Sequence, residues 1–391
     1  MRLNRNLTIT LIAVAATAVA GCGTSTPDGP GTPPSSTTLA QAPSSTVSAA
    51  PSGPARPAAC GTDFLAKLSV REKVGQLLMV GVRDAADARS AVRKGVGGVF
   101  IGSWTDRSVF SGGVLQSVAK AGKVPAMVSV DEEGGRVSRV PGADLVSARE
   151  LARTMTVPQA RAEGARVGRL MKSMGITVDF APDADVSAQS ADSVIGDRSY
   201  SSDPAVVVKY SQAFAAGLRD GGVYPVFKHF PGHGSSSGDS HQGGVSVPPL
   251  SALKSKDLIP FRAAVDAGDA GVMVGHLTVP GLTEPGLPTS LSPATMRLLR
   301  DGAGYGAKPF DGPIFTDDLS GMKAITDRFS VPQAVAKSLE AGADVALWIS
   351  TDQLGAAIDA VEAAVKAKRI STQQLDASVL RVARAKHAVR C

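Results

Sequence analysis

Aromatic residues are scarce in this chain: four tyrosines and two tryptophans stand among 391 residues. That scarcity leaves no stacking platform for single-stranded nucleic acid. The apolar run Leu7–Ala20 is too short for a membrane-spanning helix. No glycine-rich loop has the form that cradles phosphates or a dinucleotide. Histidines number five and cysteines three, and neither set has the spacing of a strong zinc pattern. Composition is otherwise that of a folded protein, 43% hydrophobic and 19% charged.

The ends of the chain carry separate signals. Arg2 and Arg5 precede the apolar run, and Val19-Ala20-Gly21-Cys22 closes it. That is the form of a secretory signal. Its ending resembles a bacterial lipobox, which predicts cleavage after residue 21 and lipidation of Cys22. The alternative is an uncleaved anchor or an ordinary signal peptide. Eight prolines follow within residues 23–59, with only Asp28 and Arg56 charged. Such a segment cannot bury enough apolar surface to offset its ordering entropy, so it is expected to be a flexible tether. The expected organisation is a signal peptide over 1–21, a lipidated linker over 22–59 and a folded body over 60–391. This places the protein outside the cytoplasm, on the membrane.

Net charge is +6, and loss of Arg2 and Arg5 leaves +4. The basic residues are dispersed, densest over 366–390, where solvated helix faces account for them better than nucleic acid does. Cys60 opens the body and Cys391 closes it. In an oxidising compartment, and in a barrel whose first and last elements are neighbours, a Cys60–Cys391 disulfide is the expectation. Two free thiols are the alternative.

Eight apolar or β-branched runs alternate with helical patterns. Strands are expected near 76–82, 98–102, 126–131, 177–181, 225–229, 271–276, 313–317 and 344–349. Helices are expected over 159–173, 205–219, 250–266, 293–300, 331–341, 352–367 and 372–389, with a Ser371/Gln374 capping box opening the last. The strand runs are continuous rather than alternating, as strands buried on both faces are. The pattern predicts an α/β fold, a single (β/α)8 barrel, with an open doubly wound sheet as the alternative. In a barrel, reactive groups gather where strands end. Asp131, Asp183, Lys228, His229, His276 and Asp317 all fall at or just past such ends.

The densest chemistry lies in Lys228-His229-Phe230-Pro231-Gly232-His233-Gly234 and Asp239-Ser240-His241. Three of the five histidines fall there. His229, His233, Asp239 and His241 are suitable metal ligands by type, but their spacing argues for no metal. Asp131 can accept from two sugar hydroxyls, with Arg139 nearby, or serve as a turn aspartate, and Gly134-Gly135 permits close approach of backbone to a ligand. Asp317 and Asp318 end an apolar strand and point to opposite sides in extended geometry. One can be a nucleophile, and Asp318 suits a capping role better. His241 titrates near neutrality and can serve as acid/base, with Asp239 holding one ring nitrogen. Trp104 and Trp348 are read as packing residues, with sugar platforms as the alternative, and His387 as a surface residue.

These segments resemble glycoside hydrolase family 3 in its bacterial β-N-acetylglucosaminidase branch. The residues carrying the resemblance are Asp131 through Arg139, Ile195-Gly196-Asp197-Arg198-Ser199-Tyr200, Lys228 through Gly234 with Asp239-Ser240-His241, and Phe315-Thr316-Asp317-Asp318-Leu319. The resemblance implies Asp317 as nucleophile, His241 as acid/base and Asp239 as its partner. It implies that Asp131, Arg139, Arg198, Lys228 and His229 bind a terminal N-acetylglucosamine. It further implies a retaining exo-hydrolase of cell-wall muropeptides that needs no cofactor and no metal and is expected to be a monomer. A phosphorylase using the same dyad, and a glycan-binding lipoprotein without activity, are the alternative functions.

Overall fold

The computed structural model describes residues 61–236, 238–239 and 243–389. Cys22, Cys60, Cys391, His241 and the proposed leader and tether lie outside the described residues.

Eight parallel strands form the body: β1 (Leu78–Gly81), β2 (Gly98–Ile101), β3 (Met127–Val130), β4 (Val178–Asp179), β5 (Tyr224–Phe230), β6 (Gly271–Val274), β7 (Ile314–Thr316) and β8 (Ala346–Trp348). From β1 to β7 each pairs with the next in chain order, and β8 pairs with β1 through Leu78↔Ala346 and Val80↔Trp348. Between β7 and β8 the ring closes on a bridge from Phe315 to Val345, where the Thr316 amide donates to the Val345 carbonyl at 2.9 Å. First and last strands are therefore neighbours, which excludes the open sheet and leaves the (β/α)8 barrel. Every residue of β1, β2 and β3 is buried, because helices cover one face and the barrel interior the other.

All eight expected strands are present. The helices differ in detail. The expected continuous helix over 250–266 is two, Leu250–Ser255 and Leu258–Ala267. The break falls at Lys256 and at Asp257, which is buried and accepts from Ser235 Oγ at 3.2 Å, so a tertiary contact overrides local helix periodicity. The last helix ends at Ala385, and only half of its capping box forms. Ser371 Oγ accepts from the Gln374 amide, whereas the Gln374 side chain donates to Leu339 O at 2.8 Å. His387 lies just past this helix and is exposed. Trp348 is fully buried and packs as expected.

Candidate active site

Because all eight strands run the same way, their C-terminal ends share one rim. A cavity of about 310 Å³ opens there, lined among others by Asp131, Arg139, Arg198, Lys228, His229 and Asp317. Phe100 and Phe180 form part of its apolar wall, and Phe315 packs edge-on against Phe180 at 5.5 Å. All six of those polar residues were expected at the site from the sequence, and the fold brings them together from elements up to 186 positions apart (Asp131 to Asp317).

The centre of the polar side is Lys228, buried on β5. Its Nζ donates to Asp131 Oδ1 at 2.6 Å and lies 2.5 Å from Glu133 Oε1. Arg198 grips the other side of Glu133 with two parallel bonds, Nε to Oε2 at 2.7 Å and Nη2 to Oε1 at 2.9 Å. Burial works to raise the Glu133 carboxyl, but Arg198 and Lys228 outweigh it and hold Glu133 well below the usual carboxylate range. Burial would likewise strip the proton from Lys228, and Asp131 and Glu133 keep it on. Two cations and two carboxylates thus neutralise one another, with hydrogen-bonding capacity left facing the cavity.

His229 follows Lys228, and the β5–β6 register shifts between Phe227 and Phe230, an irregularity that re-aims side chains. The His229 Nδ1 lies 2.8 Å from Asp185 Oδ2, and Asp185 Oδ1 accepts from the His233 amide at 2.6 Å. Burial opposes charge on both partners, yet the pairing wins: Asp185 lies below its ordinary value and His229 above it. Asp183, two residues before, is pushed up to about 8 by burial and by the Asp185 charge. Asp183, Asp185 and His229 place ligand-type atoms within 4.8 Å of one another. His229 and Asp185 pair with each other and Asp183 Oδ1 accepts from the Asp185 amide at 2.9 Å, while Arg198 Nη2 lies 3.7 Å from Asp183 Oδ2, a cation where a metal ligand set would need none. Of the three described residues among those weighed as ligands from sequence (His229, His233, Asp239), His229 belongs to this cluster.

Asp317 follows β7, and its amide donates to Val274 O on β6 at 3.0 Å. Burial alone would raise its carboxyl. His229, His276 and the Asp318 amide, which donates to Asp317 Oδ1 at 2.9 Å, hold it below the ordinary carboxylate range. Asp318 builds the turn, accepting from the Ser320 amide, Ser320 Oγ and the Gly321 amide, each at 2.8 Å. This is the supporting role expected of it, made on a turn rather than a helix. His276 lies behind. Its Nε2 faces the Asp318 carbonyl at 2.7 Å, an atom that only accepts, so Nε2 carries the proton and Nδ1 accepts from Ser290 Oγ at 2.6 Å.

Loop 131–140 shows one departure. Gly134 and Gly135 press against protein, not against ligand space. Gly134 has φ 84°, and a Cβ there would lie 2.1 Å from Val146 O, while the Gly135 amide donates to Leu145 O at 2.8 Å. Buried Glu132 shapes the rest, accepting from Ser138 Oγ and from the amides of Arg139 and Val140 at 2.7–2.8 Å. This loop presents Arg139 to the cavity. Trp104 is the second departure: it is 43% exposed and lines the cavity rather than the core. Asp239 lies on the loop after β5, part-exposed, and His241 lies outside the described residues.

Glu133 and Asp185 carry no assigned role in the sequence reading. Each had a faint signal, a second carboxylate within two residues of a strand-end aspartate (Asp131-Glu132-Glu133, Asp183-Ala184-Asp185).

The closed barrel thus brings Asp317 to the same cavity as the Lys228–Asp131 and Arg198–Glu133 ion pairs. A sequence profile described as "Glycosyl hydrolase family 3 N terminal domain" matches residues 69–385. The chain belongs to glycoside hydrolase family 3 and is an enzyme of that class. It is 52% identical over 382 residues to Beta-hexosaminidase LpqI of Mycobacterium tuberculosis, covering 96% of each chain. It is 32% identical over 273 residues to a Beta-hexosaminidase of Xanthomonas oryzae pv. oryzae, covering 66% of this chain and 76% of that one. Among solved structures, M. tuberculosis LpqI matches with a TM-score of 0.81 at 54% identity, over 84% of this chain and 96% of that chain. A family 3 β-N-acetylglucosaminidase from Paenibacillus matches with a TM-score of 0.75 at 33% identity, over 82% of this chain and 62% of that one.

Proposed function

We propose that this family 3 β-hexosaminidase removes terminal N-acetylglucosamine from the non-reducing end of cell-wall fragments, with retention, through a covalent ester on Asp317. The observation that carries the reading is the Asp317 carboxylate, which lines the cavity and lies below the ordinary carboxylate range beside His229 and the Asp318 amide. Relatives of 32–52% identity are named β-hexosaminidases, which supports an N-acetylhexosamine as the sugar.

In the first step an Asp317 oxygen bonds to the anomeric carbon as the glycosidic C–O bond breaks. His241 gives its proton to the departing oxygen, with Asp239 fixing the imidazole. In the second step His241 takes a proton from water as the water oxygen displaces Asp317. Asp131, Lys228 and Arg198 hold hydroxyls of the terminal sugar, His229 backs them, and Arg139 reaches from its loop. A muropeptide is the proposed natural substrate. Cleavage after residue 21, lipid on Cys22 and a tether over 22–59 would set the barrel on the outer face of the cytoplasmic membrane, where such fragments arise.

The test is turnover of an aryl N-acetylglucosaminide by wild type and Asp317→Ala, with and without added phosphate. The expected results are free N-acetylglucosamine in both buffers and a loss in kcat on the order of 10³ or more for the variant. Near-wild-type activity of Asp317→Ala refutes the mechanism, and sugar 1-phosphate as product refutes hydrolysis.

A further inference from the structure

The rim of the barrel is divided by chemistry. The ends of β3 and β5 supply the polar arc of Asp131, Lys228 and His229. Across the ring, the segments after β7, β8 and β2 supply Met322, Ile349 and Trp104, all lining the same cavity. These three form an apolar arc on the β7-β8-β1-β2 side of the rim, which also carries Asp317 and Asp318 and to which the end of β1 adds no lining residue.

Trp104 is the largest exposed apolar side chain on the described surface, and its exposure is not that of a loose loop. The turn beneath it is fixed: Thr105 is buried, its Oγ1 donates to Val82 O at 2.6 Å and accepts from the Gly102 amide at 3.1 Å. The Asp106 amide donates to Arg83 O at 2.8 Å. The indole lies over Gly102, where a Cβ would meet three of its ring carbons at 2.3–2.5 Å, and it packs against Phe100 with ring centroids 5.9 Å apart. Gly102 and Phe100 pack against the ring, which still lines the cavity with the residue 43% exposed.

A β-1,4-linked hexosamine ring carries its substituents equatorially, so its two faces are C–H surfaces that suit a π-face. The polar arc suits the hydroxyls of the terminal sugar. The more solvent-exposed apolar arc suits the next ring outward. We propose that Trp104 is the platform of a second sugar subsite, stacking on the pyranose that bears the leaving oxygen and so favouring saccharide aglycones. This rests on reading the cavity as an N-acetylglucosaminidase site.

The experiment compares wild type, Trp104→Ala and Trp104→Phe, in the full chain, on two substrates: methyl β-N-acetylglucosaminide and the β-1,4-linked disaccharide of N-acetylglucosamine. For Trp104→Ala we expect KM on the disaccharide to rise roughly tenfold with kcat within about twofold, and kinetics on the methyl glycoside to stay unchanged. Trp104→Phe should restore most of the disaccharide KM. Equal losses on both substrates, or no change on either, overturn the platform. If wild type cleaves neither substrate, the reading of the cavity itself falls, an outcome separate from any effect of Trp104.

Discussion

Lys228 Nζ lies within 2.6 Å of carboxylate oxygens from both Asp131 and Glu133, so one buried ammonium ties the loop after β3 to β5. Taking one partner from a buried ion network leaves the others uncompensated. Lys228→Met should cost about 3–5 kcal/mol in urea unfolding and abolish turnover. Asp131→Asn keeps the shape and removes only one acceptor charge. It should fold with a smaller loss, while KM for an aryl N-acetylglucosaminide rises by on the order of tenfold or more. Unchanged KM in Asp131→Asn would remove Asp131 from sugar binding.

Asp318 fixes its neighbour through backbone. Its three accepted bonds hold the turn from which Asp317 projects. Asp318→Ala should lower stability by about 2–4 kcal/mol and lower kcat more than it raises KM, because the nucleophile loses its aim. Asp318→Asn, which retains one acceptor oxygen, should recover part of both. Chemical unfolding read beside steady-state kinetics checks the pair.

Asp257 gives a pH dependence with a definite sign. Burial first, then the Asp185 charge, push its carboxyl up to about 6, against the opposing pull of Lys256 and the Ser235 hydroxyl. An unfolded aspartate titrates near 3.9. Between about pH 4 and pH 6 the native state therefore binds more protons than the unfolded state, and stability falls as pH rises through that window, by roughly 2–3 kcal/mol at most. Asp257→Asn cannot ionise. The wild-type minus variant difference in unfolding free energy should slope downward from about pH 4 to about pH 6 and be flat above it. A difference flat across the whole range contradicts the assignment.

Much of this was legible in the sequence because the barrel imposes simple rules. Strands buried on both faces show as unbroken apolar runs, and all eight were found that way. Parallel strands place their ends on one rim, so Asp131, Lys228, His229 and Asp317 could be grouped without coordinates. The misses share one cause, tertiary contact. Nothing local marks Asp185 as the partner of His229, 44 positions away, or Glu133 as the hub of Arg198 and Lys228. Gly134 looked like a ligand glycine because the backbone it touches, at Val146, is not adjacent in sequence. Trp104 looked like packing because composition cannot tell a core indole from one held over a glycine at a cavity.

The central claim is a bond between Asp317 and the anomeric carbon. The direct measurement is peptide mass spectrometry after reaction with a 5-fluoro N-acetylglucosaminyl fluoride, whose good leaving group forms the ester and whose ring fluorine slows its hydrolysis. The account predicts one N-acetylhexosamine-derived adduct per chain, on the peptide containing Phe315-Thr316-Asp317, and none in Asp317→Asn. An adduct on another carboxylate, or inactivation without any adduct, would contradict it.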